Sequence, residues 1–138
     1  MSTMHALLAA ALLAMAGCNS VASGSRDAPA TGRAASVATI ADGSTFHMRP
    51  GQSVRLADGS TLRYERLAND SRCMPDVQCV WAGDAEVAFT WKPANGPAEA
   101  FTLHTGKAPR GHALGERAVI LVTLARGAAP EAGLRMER

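Results

Sequence analysis

From Ser44 onward, large apolar residues recur at every second position in short runs separated by turn residues. This is the pattern of strands that bury one face. Phe46 and Met48 share a face in the first run, Val54 and Leu56 in the second, and Leu62 and Tyr64 in the third. The alternation is cleanest in DAEVAFTW, where Ala85, Val87, Phe89 and Trp91 point one way while Asp84, Glu86 and Thr90 point the other. Phe101 and Leu103 repeat it in EAFTLHT, and Leu134 and Met136 in LRMER. Asp58-Gly59 predicts a two-residue type I′ hairpin between the second and third runs, because that turn needs positive φ at both centres. RPGQ at 49–52 and KPANGP at 92–97 predict two further turns. The segment AVILVTL at 118–124 is apolar almost without alternation, as in a strand buried on both faces. A short buried helix has the same period-free look, and the β-branched Val119, Ile120, Val122 and Thr123 favour the strand. About seven short strands, and no stretch that offers a helix of more than a turn or two, predict an all-β domain. The expected architecture is a small antiparallel β-sandwich or a partly open barrel.

The N-terminal part has a different pattern. HALLAAALLAMAGC at 5–18 is a continuous apolar run finished by small residues. It is shorter than the roughly twenty apolar residues a membrane-spanning helix needs. Met15, Ala16 and Gly17 ahead of Cys18 resemble the end of a bacterial lipoprotein signal, although residues 1–7 carry no lysine or arginine. The resemblance implies cleavage before Cys18, a diacylglycerol on its sulfur and acylation of its new amine, and several acyl chains anchor a protein firmly. Asn19 stands where lipoproteins retained in the inner membrane usually have Asp. That implies a location on the periplasmic face of the outer membrane, with the membrane as a partner through the lipid anchor. The next residues, NSVASGSRDAPATGRAASVA, are small and polar and bury too little to offset their ordering entropy. They are expected to form a flexible tether reaching on the order of 25 Å. The resulting organisation is a signal peptide over 1–17, lipidated Cys18 and tether over 18–38, and a single β-domain over 39–138.

Charge narrows the function classes. Fourteen basic and twelve acidic residues give a formal net charge of +2, and the twelve arginines are spread from Arg26 to Arg138 without a run. Nucleic acid is therefore not expected as a partner, since phosphate binding needs a clustered basic face.

One stretch concentrates the rare residues. DSRCMPDVQCVWAG at 70–83 holds two of the three cysteines and one of the two tryptophans. In an exported chain two nearby cysteines pair, so Cys73 and Cys79 are expected to form a disulfide closing a loop of five residues. Pro75 stiffens the turn, the parity of Trp81 predicts a ring that caps the disulfide, and Gly83 permits a sharp bend into the next strand. Asp70 and Ser71 are expected to satisfy backbone N–H groups in a turn, and the Arg72 fork to clamp Asp70 or Asp84. The block Asp70, Ser71, Arg72, Cys73, Cys79, Trp81, Gly83 and Ala85 resembles a signature found in many small secreted bacterial proteins and lipoproteins to which no activity is attached. There, proline usually follows the first cysteine directly, whereas Met74 intervenes here.

The chemistry on offer is sparse. A thioredoxin-type motif spaces its cysteines by two residues, not five. Metal ligation would have to draw on His47, His104, His112 and Met48, Met74 or Met136, which are scattered in sequence. There is no Gly-x-Ser-x-Gly, His-Glu-x-x-His or glycine-rich phosphate loop. No catalytic residue, metal ligand or cofactor is therefore assigned. The expectation is a non-enzymatic, lipid-anchored β-domain that binds an envelope protein or another cell-envelope component through its loops. Arg72, Met74, Asp76 and Gln78 are the candidate binding residues. A periplasmic copper- or zinc-handling protein, or an enzyme of unidentified reaction, is the alternative.

Overall fold

The computed structural model describes residues 37–138. The expected signal peptide, Cys18 and the expected tether up to residue 36 lie outside the described residues. Nine strands follow in order: β1 (Thr39–Ile40), β2 (Thr45–Met48), β3 (Ser53–Leu56), β4 (Thr61–Asp70), β5 (Ala85–Lys92), β6 (Glu99–His104), β7 (Gly111–Leu114), β8 (Arg117–Leu124) and β9 (Ala132–Glu137). No helix is present among the described residues. The strands form a five-stranded sheet in the order β1-β3-β4-β5-β6 and a four-stranded sheet in the order β2-β9-β8-β7. All pairings are antiparallel except that of β1 with β3. The all-β domain expected from the alternation is the one observed, with one disulfide.

The period-two residues meet between the sheets. Leu62, Tyr64, Val87, Phe89 and Leu103 of the first sheet pack against Met48, Val119, Leu121, Leu134 and Met136 of the second, all essentially inaccessible to solvent. Full burial of side chains of this size stabilises by ~1.5–3 kcal/mol each before entropy is counted. Tyr64 lies 5.1 Å from Phe89, centroid to centroid, and Phe89 lies 5.6 Å from Phe101. The Tyr64 hydroxyl crosses the sandwich to donate to the Pro130 carbonyl at 3.1 Å, so its one polar atom is satisfied inside the core.

Three details differ from the sequence reading. The count is nine strands because β1 has only two residues and β7, GHAL, alternates too weakly to register. The Asp58-Gly59 hairpin is a three-residue loop: Gly59 N–H donates to Leu56 O, Leu56 N–H donates to Ser60 O, and Gly59 has φ +83°. Asp58 sits inside that turn and accepts from the Ser60 N–H and hydroxyl, an arrangement the Asp side chain favours over a two-residue turn. The run AVILVTL is a strand, as expected, but only Val119 and Leu121 are buried and Val122 is exposed. A register shift between Leu121 and Thr123 pushes Val122 out of the ladder, as a bulge does.

Candidate functional site

The β4–β5 ribbon continues past its last paired residues into the disulfide loop. Its legs stay zipped: Ser71 N–H donates to Asp84 O at 2.7 Å, and Cys73 N–H donates to Ala82 O at 2.9 Å. The Ser71 hydroxyl donates to Asp84 O and accepts from Asp84 N–H. Gly83 has φ +72°, and a Cβ there would lie 1.9 Å from the Ser71 carbonyl oxygen, so only glycine allows this approach of the two legs. Beyond them Met74 to Val77 form a turn with Pro75 in its second position, closed by Val77 N–H to Met74 O at 3.2 Å. The Cys73–Cys79 disulfide, with its Cα atoms 5.9 Å apart, shuts the loop around that turn.

Arg72 fastens the loop to the opposite sheet. Its guanidinium grips Asp70 with Nε to Oδ1 at 2.8 Å and Nη2 to Oδ2 at 2.6 Å. The remaining donors reach the Leu124 and Ala125 carbonyls at the end of β8, at 2.8 and 2.9 Å. Arg126 adds a bond to the Cys73 carbonyl from the same side. The Arg72 hydrogen bonds, together with its charge, hold the Asp70 carboxyl below its ordinary range despite partial burial. The expected clamp is thus made, and to Asp70. Arg72 is corrected as a ligand-binding candidate, because its side chain is only 13% exposed and each of its three guanidinium nitrogens already bonds within the protein.

Trp81 requires a second correction: it does not cap the disulfide. The residue is 82% exposed, and its neighbours Val80, Met74 and Val77 are 90%, 66% and 52% exposed. The parity argument failed because parity decides burial only where a second layer faces the strand. Here Arg72 reaches the end of β8 from the base of the loop, and the residues beyond Cys73 have no apolar layer opposite them. Met74, Asp76 and Gln78, named from the sequence, are all exposed on the tip, and the structure gathers Val77, Val80 and Trp81 with them. Val80 and Trp81 lie in a bend and not in a paired strand, so the alternation that turns Ala85, Val87 and Phe89 inward does not extend to them.

The base of the loop is held by a polar hub. Asp84 Oδ1 accepts from the Thr105 and Gly106 N–H groups at 3.0 and 2.8 Å, and Oδ2 lies 2.6 Å from His104 Nδ1. Burial alone would raise the Asp84 carboxyl, but the Gly106 amide, His104 and Lys107 lower it to about 2. Asp84, Glu86 and His104 are the donor set that comes nearest to a metal site among the described residues. The Lys107 ammonium already occupies the space beside it, 3.6 Å from Asp84 and 3.5 Å from Glu86. The 2.6 Å Nδ1–Oδ2 separation is a hydrogen bond, closer than two ligands of one ion sit, so the cluster is satisfied internally.

The other sequence-level ligand candidates do not converge. His47 pairs with Glu131, and His112 stacks on Phe101 with its centroid 4.0 Å away and its Nε2 2.9 Å from Glu99. Met48 and Met136 are core residues. A hollow of about 480 Å³ opens beside β2 and the start of β3 between Val37, His47, Gln52 and Val54. No cluster of charged groups converges in it. No family model, curated protein or solved structure matches the chain.

Proposed function

We propose that the chain is a lipid-anchored protein of the bacterial envelope whose β-domain is a non-enzymatic binding module, presenting the tip of its disulfide loop to a protein partner. The observation that carries this reading is that Met74, Val77, Val80 and Trp81 are all solvent-exposed on one loop, which is fixed by a disulfide, a zipped pair of legs and the Arg72 fork. Rigid display of an aromatic anchor with apolar neighbours lowers the entropy lost on association, and tryptophan is among the commonest energetic centres of protein interfaces. Loops positioned by a rigid scaffold are where binding residues concentrate. The lipoprotein-like run ending at Cys18 and the signature-like block at 70–85 support the envelope setting.

In-cell photo-crosslinking tests the reading. A photoreactive residue at position 81 should yield a discrete adduct that a residue at position 122, an exposed site on the other sheet, does not. The adduct should weaken when Cys73 and Cys79 are replaced by serine. Equal adducts from both positions, or none from 81, would overturn the proposal.

A further inference from the structure

The outer face of the five-stranded sheet gathers cations that are scattered in the sequence. Alternation that turns Val54, Leu62, Val87 and Phe89 inward turns Arg55, Arg63 and Lys92 outward, and the bulge between Tyr64 and Arg66 brings Arg66 to the same outer face. The register places Arg55 and Lys92 on either side of Thr61, Arg63 beside Thr90, and Arg66 beside Ala88. Sheet geometry then sets Arg55 and Lys92 ~10 Å apart, two strand spacings, with Arg63 and Arg66 on the intervening strand. All four are exposed. Arg63 is paired with Glu65 at 3.1 Å, whereas Arg55, Arg66 and Lys92 have no carboxylate partner among the described residues. Between these cations the floor is small and hydroxylated, with Thr61 and Thr90, and Thr102 continues it on the adjoining β6.

We infer that this face docks an anionic polysaccharide. Two unpaired guanidinium groups and an ammonium on one face suit carboxylate, sulfate or phosphate substituents, which Arg grips in a bidentate way, and the threonine hydroxyls match sugar hydroxyls. Two other polyanions fit less well. Tyr64, Phe89, Trp91 and Phe101 lie on the inner side of this sheet, so the face offers no aromatic platform for nucleic-acid bases. Among the described residues its one exposed large apolar side chain is Val37 just ahead of the β1 edge, the others belonging to the loop (Met74, Val77, Val80, Trp81) or to the other sheet (Val122), so it offers no apolar patch to insert into lipid. The inference is independent of the loop reading, because the two surfaces share no residue.

Binding of the purified domain to heparin and to polygalacturonate, with neutral dextran as control, tests it. The expected result is salt-sensitive binding to an anionic glycan and none to dextran. Arg55→Gln with Arg66→Gln and Lys92→Gln should weaken that binding by roughly tenfold or more, and Arg135→Gln on the other sheet should leave it unchanged. Circular dichroism of the triple variant keeps misfolding from passing as lost affinity. Absence of binding to both anionic glycans, equal loss with Arg135→Gln, or tighter binding to duplex DNA or anionic vesicles would overturn the inference.

Discussion

The two tryptophans, ten residues apart on consecutive parts of one ribbon, have opposite surroundings. Trp91 lies on β5, packs against the core and has its indole nitrogen buried without a hydrogen-bond partner. Trp81 lies on the leg of the disulfide loop and is almost fully solvated. Both are preceded by residues at the spacing that predicts an inward ring. The difference is the layer opposite. β5 faces the second sheet along its length, whereas the outer part of the loop extends beyond it and meets only Arg72 and Arg126 at its base. Hydrophobic residues of the sheets therefore serve the fold, while those of the loop tip leave the fold unaltered and are available to a partner.

The sharpest way to break this division is to detach the loop from the sheets. Arg72→Ala would strand the Asp70 carboxylate, which is largely shielded, and release the β8 carbonyls. Losing these charge-assisted hydrogen bonds costs ~2–3 kcal/mol, visible as an earlier urea midpoint. Arg72→Lys should recover little of it, because a single ammonium cannot grip both Asp70 oxygens and reach β8.

Acid should loosen the base of the loop next. The folded Asp84 carboxyl titrates at about 2 against its ordinary 3.8, so its contribution is complete above the unfolded value and is lost as pH falls from about 4 to 2. That contribution is on the order of 2 kcal/mol. Asp84→Asn should lower stability at neutral pH and flatten the acid limb of the stability profile. An unchanged acid limb would mean that the hub is not holding the loop.

Reduction of the disulfide, or Cys73→Ser with Cys79→Ser, should cost about 2 kcal/mol for so short a loop. The core should survive, with near-ultraviolet ellipticity from Tyr64 and Phe89 retained. The smallest effect concerns emission. With Trp91→Phe, the remaining Trp81 should fluoresce at long wavelength and be quenched by acrylamide at nearly the rate of a free indole.

Much of the fold was legible in the sequence because alternation is a statement about one sheet face, and every large residue at Phe46, Met48, Val54, Leu56, Leu62, Tyr64, Val87, Phe89, Leu103, Leu134 and Met136 obeyed it. The turn at 49–52 is closed by Gln52 N–H to Arg49 O, with Gly51 at φ +85°, also as the residues implied. What escaped depends on how the two sheets stack. The outward bulge at Val122, the solvated Trp81 and the reach of Arg72 to the Leu124 and Ala125 carbonyls each follow from where one sheet ends relative to the other, and no local pattern encodes that offset. The same holds for the cationic face. Arg55, Arg63, Arg66 and Lys92 form no run, and only the register of β3, β4 and β5 brings them together.

The stability of Trp81→Ala, measured by urea denaturation with the disulfide intact, tests the division between fold and display most directly. A ring that stands in solvent contributes little, so the free energy of unfolding should stay within about 0.5 kcal/mol of the parent, even as partner crosslinking from the loop is lost. A loss of ~3–5 kcal/mol, the cost of deleting a core aromatic, would place Trp81 in the fold and contradict the account.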